Sequence, residues 1–105
     1  IVRDIDEGEQ VVRLEFEAWR ERLEPVLRQL AEESIQLHGV SSIVLGHRVG
    51  AVGPQQPIVS IHVASPHRKE AFESCSWLID ELKAQAPLWK KEVRASGQVR
   101  KAGLG

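Results

Sequence analysis

Apolar residues recur at two different spacings in this sequence, and the order of these spacings restricts the fold. They alternate with polar residues in 11–17 and in 58–64, the pattern of a half-buried strand, and residues 42–49 are rich in β-branched side chains. In two further segments they recur every three or four positions, as on one face of a helix. The order strand, helix, strand, strand, helix predicts an α+β fold, in which an antiparallel or mixed sheet carries both main helices on one face.

The first helical segment is bounded by a proline and a glycine. Pro25 is tolerated only near a first turn, so we expect the regular helix to run from about 24 to 37, and Gly39 should end it. The apolar face of this segment consists of Trp19, Leu23, Val26, Leu27, Leu30, Ala31 and Ile35. The apolar side of the preceding strand consists of Val12, Leu14 and Phe16. Residues 4–9, before that strand, are expected to form an acidic turn or loop.

The second helical segment begins with a capping signal. Ser65 supplies a capping hydroxyl, Pro66 suits the first helical position, and Pro87 should end the helix. The apolar stripe of this segment consists of Ala71, Phe72, Cys75, Leu78, Ile79 and Leu82. Residues 50–57 are typical of a Gly/Pro loop, and 91–105 are expected to be loop with at most a short strand.

Length and composition favour one folding unit. With 105 residues and 42% hydrophobic content, the chain can form a single domain, 1–105, with a substantial core. It begins at Ile1 and contains no Met, so we expect that a preceding segment is absent from this sequence. No apolar run reaches the roughly 20 residues that span a bilayer. The lone Cys75 cannot form an internal disulfide, which suits a reducing cytoplasm.

The charged residues are divided unevenly between the two parts of the chain. Residues 1–64 hold six Arg and ten Asp or Glu, whereas 65–105 hold eight Lys or Arg and five Asp or Glu. The basic part is much weaker than the stripe of a duplex-binding protein. It is compatible with binding of a small anion.

Three cationic or titratable residues lie at the start of the second helix. His67, Arg68 and Lys69 occupy the expected first turn, where positive charge opposes the helix macrodipole. An anion bound at that terminus would explain them, because free N–H groups and cations would converge on it. Solvated side chains that are offset by Glu70 and Glu73 would explain them equally well.

Two lysines near the end of the second helix are the other candidates for chemistry. Lys83 borders the apolar stripe, and Lys90 follows the large aromatic Trp89. Close together in a partly desolvated site, they would suit nucleophilic or proton-transfer work. For Lys83 the pattern alone favours the simpler interpretation, a surface lysine whose stem covers apolar atoms.

The sequence predicts no metal and no bound cofactor. His38, His47 and His62 are scattered without ligand spacing, which favours structural roles. Cys75 falls in the apolar stripe, which favours a buried, inert thiol. There is no P-loop, no dinucleotide fingerprint and no Ser-centred elbow.

Four blocks of residues resemble the large, catalytic subunit of molybdopterin synthase, in order and at that family's spacing. They are His47-Arg48-Val49-Gly50 and residues 65–73, 78–83 and 87–92. The similarity covers most of the chain, since the segment from Val2 through the first strand also fits without a gap. The resemblance implies the α/β hammerhead form of an α+β fold, without the family's N-terminal strand region.

The resemblance also implies a function. Members of this family are sulfur transferases of molybdenum cofactor biosynthesis that convert cyclic pyranopterin monophosphate to molybdopterin. Their large subunits form a central homodimer within a cytoplasmic heterotetramer. Each receives the C-terminal glycine tail of a ubiquitin-like small subunit, which carries the sulfur as a thiocarboxylate.

Roles for five residues follow from the same resemblance. Lys83 would lie beside the thiocarboxylate, and Lys90 would assist proton transfer or anchor the substrate. Arg3, His67 and Arg68 would bind the phosphate and the polar edge of the pterin, the last two from across the dimer.

Distance along the second helix gives an independent reason to expect a dimer. His67 and Lys83 are sixteen residues apart, about 24 Å at the usual helical rise, so one small substrate cannot easily touch both. Two copies related by a two-fold axis would share two composite sites. The competing hypothesis is a non-catalytic dimeric scaffold that binds the small subunit. A nucleotide or RNA module is disfavoured, because the basic positions lack interleaved exposed aromatics.

Overall fold

The computed structural model describes residues 1–2, 4–6, 9–97 and 99–103. The elements follow in the order β1 (Ile5–Asp6), β2 (Glu9–Ala18), α1 (Arg20–His38), β3 (Ser42–His47), β4 (Gly50–Val52), β5 (Val59–Ala64), α2 (Arg68–Gln85), β6 (Leu88–Arg94) and β7 (Val99–Gly103). This is an α+β arrangement, which confirms the predicted fold class. Neither of the described helices is long and apolar enough to cross a membrane.

The strands form two antiparallel sheets. In the larger sheet the order is β1-β2-β6-β7. β1 and β4 both pair with the edge of β2 that faces away from β6: β1 pairs with the N-terminal part of β2, and β4 pairs with its C-terminal part. Strands β3 and β5 form a separate two-stranded sheet. The helices pack against each other and against this smaller sheet, α1 on β3 and α2 on β5. Both helices therefore pack on one sheet, as predicted, but the described strands form two sheets rather than one, and the helices lie on the smaller sheet.

A bulge in β2 changes which apolar residues of that strand are buried. Leu14 and Phe16 are buried as predicted, but Val12 is 44% exposed and Val11 takes its place in the core at 1%. The register with β6 shifts between Val11 and Arg13, which face consecutive residues of β6. This extra residue on β2 reverses the side-chain alternation, so the prediction for Val12 was wrong. The main core cluster consists of Val2, Val11, Leu14, Phe16 and Val52.

Helix α1 begins at Arg20, four residues earlier than predicted, and Pro25 lies inside it. The first turn forms upstream of the proline, because the carbonyl of Trp19 accepts hydrogen bonds of 3.0 Å from the N–H groups three and four residues further on. The carbonyl of Glu21 loses its helical partner to Pro25, but both residues are exposed, so water can reach it. Gly39 ends the helix as predicted, with a left-handed φ of 68°.

Helix α2 begins at Arg68, two residues later than predicted. The N-cap is His67, which has an extended conformation. The hydroxyl of Ser65 accepts a hydrogen bond of 3.4 Å from the N–H of His67 and not from a helical residue, so Ser65 does not cap the helix. Pro66 therefore lies before the helix rather than at its first position. Phe72 was predicted in the apolar stripe but is 72% exposed. It lies two positions before the buried line of the helix, which places it on the opposite side. That buried line consists of Ser74, Leu78 and Leu82.

Three segments that were predicted as turn or loop contain strands. Residues 5–6 and 50–52 pair with β2, and residues 88–94 and 99–103 form β6 and β7. Residues 90–92 are charged and have low strand propensity, but each of these three residues pairs with a residue of β2. Tertiary pairing therefore overrides local propensity here.

Two small polar residues form the contact between the helices. Ser34 of α1 and Ser74 of α2 are both 0% exposed, and their hydroxyl oxygens are 2.7 Å apart. Ser34 Oγ also lies 2.8 Å from Nδ1 of His38, whose ring packs edge-on to Trp77. The small side chains let the helices approach closely, and the hydrogen bonds satisfy both buried hydroxyls.

The serine contact predicts different costs for two substitutions at one position. Ser74→Leu should lower the free energy of unfolding by about 1–3 kcal/mol or more, because a larger side chain separates the helices. Ser74→Ala should cost only about 1 kcal/mol, since Ser34 keeps His38 as a partner. Urea unfolding measures both, with the exposed Ser76→Ala as the matched control. Equal stability of Ser74→Leu and the wild type would contradict this packing.

Candidate functional site

A cavity of about 170 Å³ lies where the two sheets and the end of α2 meet. The residues that line it are Ile1, Leu14, Phe16, His47, Ile58, Val59, Ile79, Leu82, Lys83 and Lys90. Most of the wall is therefore apolar, and the polar groups are two lysines and one histidine.

Strand register places Lys90 in the cavity. Lys90 of β6 lies directly opposite Phe16 of β2, so both side chains project from the same face of the sheet. The next residue, Lys91, projects from the other face, where its Nζ lies 3.8 Å from Glu15. Lys90 is half-buried, and its position follows from the pairing of β6 with β2.

Helical spacing places Lys83 at the same cavity. Lys83 lies in the last turn of α2, and it follows Ile79 by four residues, so both occupy one side of the helix. The Lys83 side chain is exposed, so it stands at the rim. The structure therefore brings together the two lysines that the sequence placed close only along the chain.

His47, which the sequence pattern favoured as a structural residue, also lines this cavity. Its ring lies edge-on to Phe16 with the ring centroids 5.0 Å apart. Nδ1 lies 2.6 Å from the carbonyl oxygen of Arg48. Burial lowers the pKa of His47 below its ordinary value, although the hydrogen bond to Arg48 acts in the opposite direction. The signal in the sequence was the block His47-Arg48-Val49-Gly50, but its spacing gives no clue to the neighbours of the ring.

The remaining candidates lie elsewhere. His67 and Arg68 are exposed at the other end of α2, an 18-residue helix about 27 Å long, and they do not line the cavity. Within the described part of the chain their side chains form no ion pair or hydrogen bond. The exposure of Arg68 and Lys69 agrees with the alternative of solvated side chains, although Glu70 and Glu73 form no ion pair with Arg68 among the described residues. Arg3 lies outside the described residues.

Residues that could hold a metal are not clustered in the described ranges. No group of three or more His, Cys, Asp or Glu side chains converges there. Cys75 is a free thiol that is half-buried. Its place in the apolar stripe had predicted a fully buried thiol. It does not line the cavity.

The fold and the cavity place this chain among small α+β proteins, and in this chain two lysines and a histidine line one apolar-walled cavity. Residues 1–85 match the family model described as MoaE protein, and the chain belongs to this family. The molybdopterin synthase catalytic subunit of Ralstonia nicotianae is 40% identical over 96 residues, which cover 91% of this chain and 54% of that protein. This chain thus spans about half the length of that relative.

Solved structures agree with the family. The crystal structure of molybdopterin synthase from Staphylococcus aureus superposes with a TM-score of 0.91 at 30% identity, covering 97% of this chain and 74% of that one. A complex of subunits 1 and 2 of molybdopterin-converting factor from Helicobacter pylori superposes with a TM-score of 0.76 at 23% identity, covering 98% and 65%. The second likeness is one of fold. The family resemblance stated from the sequence is confirmed.

Burial of His47 predicts a pH-dependent contribution to stability. In the unfolded chain the imidazole takes up a proton near pH 6.5, whereas in the folded protein burial lowers the pKa of His47. The unfolded state therefore binds the proton first as the pH falls. Stability that is present above pH 6.5 is lost as the pH falls through the pKa of His47 in the folded protein. His47→Gln should therefore lose less stability than the wild type between about pH 7.5 and 5.5. Urea midpoints measure this, with His62→Gln at an exposed position as the control. Identical slopes for His47→Gln and the wild type would show that His47 titrates as in the unfolded chain.

Proposed function

We propose that this chain is the catalytic part of a sulfur transferase of molybdenum cofactor biosynthesis. It would convert cyclic pyranopterin monophosphate to molybdopterin, with sulfur from the thiocarboxylated C-terminal glycine of a ubiquitin-like small subunit. The observation that carries the proposal is the meeting of Lys83 and Lys90 in one apolar-walled cavity of a family member. A cavity of about 170 Å³ suits an extended glycine tail, which has no side chains to place.

Each lysine has a distinct task in this proposal. Lys83, at the rim, polarises the acyl group of the incoming tail and stabilises the negative charge that develops on its oxygen. Lys90, half-buried on the floor formed by β6, donates a proton or anchors the substrate. The apolar wall that Leu14 and Phe16 provide strengthens the interaction of the half-buried Lys90, because fewer water molecules screen a charge beside apolar side chains.

Substrate binding is assigned to the cationic start of α2. His67 and Arg68 would hold the phosphate and the polar edge of the pterin by charge-assisted hydrogen bonds, together with Arg3. Their exposure and lack of described partners leave them available for a ligand. They lie a helix length from Lys83, so the proposal includes a homodimer in which one protomer supplies this pair and its partner supplies the lysines.

The proposed setting follows from the same reaction. The chain acts as one domain, 1–105, in the cytoplasm, and it forms a heterotetramer from two copies of itself and two small subunits. No cofactor is required, because the sulfur arrives on the small subunit.

Removal of Lys83 tests the chemistry. Lys83→Ala should reduce dithiolene formation by about 100-fold or more, since a charge at the reacting carbonyl is lost. It should leave the thermal unfolding midpoint unchanged, because the side chain is exposed. The matched control is Lys91→Ala, which removes a lysine from the opposite face of β6 and should retain activity. Near-normal turnover of Lys83→Ala would exclude Lys83 from the mechanism.

Subunit mixing tests the shared site. Arg68→Ala and Lys83→Ala proteins should each be inactive, and their mixture should recover part of the activity, because a heterodimer contains one intact site. Subunit exchange is verified by native mass spectrometry. No recovery after verified exchange would contradict the shared site. A wild type that binds the small subunit but forms no product would instead support the non-catalytic scaffold.

A further inference from the structure

The proposed reaction contains a step that the lysines do not serve. For sulfur to remain on the substrate, the bond between the acyl carbon of the small subunit and the sulfur must break after the sulfur has bonded to the substrate. Water is the simplest nucleophile for that acyl carbon, and it must lose a proton as it attacks. Lysine ammonium groups are donors without an acceptor site, so Lys83 and Lys90 in their charged form cannot take this proton.

His47 is the proton acceptor among the described side chains that line the cavity. The other lining side chains are apolar, apart from the two lysines. A carbonyl oxygen only accepts hydrogen bonds, so the 2.6 Å contact with Arg48 places the imidazole proton on Nδ1. In the neutral ring, the lone pair is then on Nε2. Within the described residues Nε2 has no hydrogen-bond partner.

We propose that His47 is the general base for the water that releases the sulfur, an inference that rests on the proposed function. The water oxygen bonds to the acyl carbon while one of its protons moves to Nε2. The tetrahedral oxyanion then collapses and the carbon–sulfur bond breaks. Sulfur stays on the substrate as a thiolate, and the small subunit leaves as a carboxylic acid that ionises in solvent. No oxidant or reductant is consumed.

The surroundings of His47 suit a base that stays neutral. The charged groups that line the cavity with it are Lys83 from α2 and Lys90 from β6, while β2 and β5 present Phe16 and Val59. The apolar wall disfavours a protonated imidazole, because burial penalises the charged form of the ring and lowers its pKa, although the hydrogen bond to Arg48 acts in the opposite direction. The hydrogen bond to Arg48 and the edge-on contact with Phe16 hold the ring in one orientation. The orientation of the ring is thus set before the acyl group arrives, and burial favours its neutral form.

The test follows acyl release in a single turnover, with thiocarboxylated small subunit and the cyclic precursor mixed with the homodimer. His47→Gln should slow release of the small-subunit carboxylate by about 100-fold or more. A covalent adduct of small subunit, sulfur and precursor should accumulate and be visible by mass spectrometry. The wild-type rate should fall on the acid side of a pH profile, and His47→Gln should lose that dependence. His62→Gln, an exposed histidine of β5, should behave as the wild type.

A second variant separates chemistry from folding. His47→Ala should regain part of its release rate when imidazole is added, because the small base can occupy the space that the side chain leaves. Absence of both adduct and rescue, or a His47→Gln rate equal to that of the wild type, would overturn the assignment. Failure of the wild type itself to form product would instead overturn the proposed function, so the two failures are distinguishable.

Discussion

The antiparallel ladder between β2 and β6 is the interaction on which the cavity depends. It pairs Phe16 with Lys90 and Glu15 with Lys91, so adjacent lysines go to opposite faces of one sheet. A slip of one residue would exchange the two lysines and place Lys91 in the cavity. Burial of Leu88, which lies on the same face of β6 as Lys90, opposes such a slip, because the slip would turn the Leu88 side chain out of the core.

The cavity divides proton donors from a proton acceptor. The two lysines come from the consecutive elements α2 and β6, and the histidine comes from the end of β3, which lies far from both in the sequence. Apolar side chains form most of the wall around these groups, so the half-buried Lys90 is screened less than a surface charge. In the proposed reaction, donors and an acceptor that line one cavity serve successive steps.

Helix α2 sets the distance between the two candidate regions. Lys83 occupies its last turn and Arg68 its first position, about one helix length apart. The buried contact of Ser34 with Ser74 holds this helix against α1, and both rest on the β3–β5 sheet. If the chemistry takes place at one end of this helix and the anion binds at the other, as proposed, one small substrate cannot easily reach both ends within a single protomer. This geometry is the physical basis for assigning one site to two protomers.

Local rules in the sequence determined much of the fold. Alternation located β2 and β5, β-branched residues located β3, helical spacing located both helices, and Gly39 marked the end of α1. Where these rules failed, a partner distant in the sequence decided the outcome. The charged segment 90–92 became a strand because β2 pairs with it, and the bulge beside Val11 sent Val12 to the surface.

The same division applies to the candidate site. The sequence alone identified Lys83 and Lys90 as candidates and set His67 far from Lys83, since the length of a helix follows from its residue count. Only the tertiary structure brought His47 to the two lysines, because a single histidine at the end of a strand carries no periodic signal of its neighbours. Spacing along a chain determines the face and the length of an element, whereas contacts between elements depend on how the elements pack.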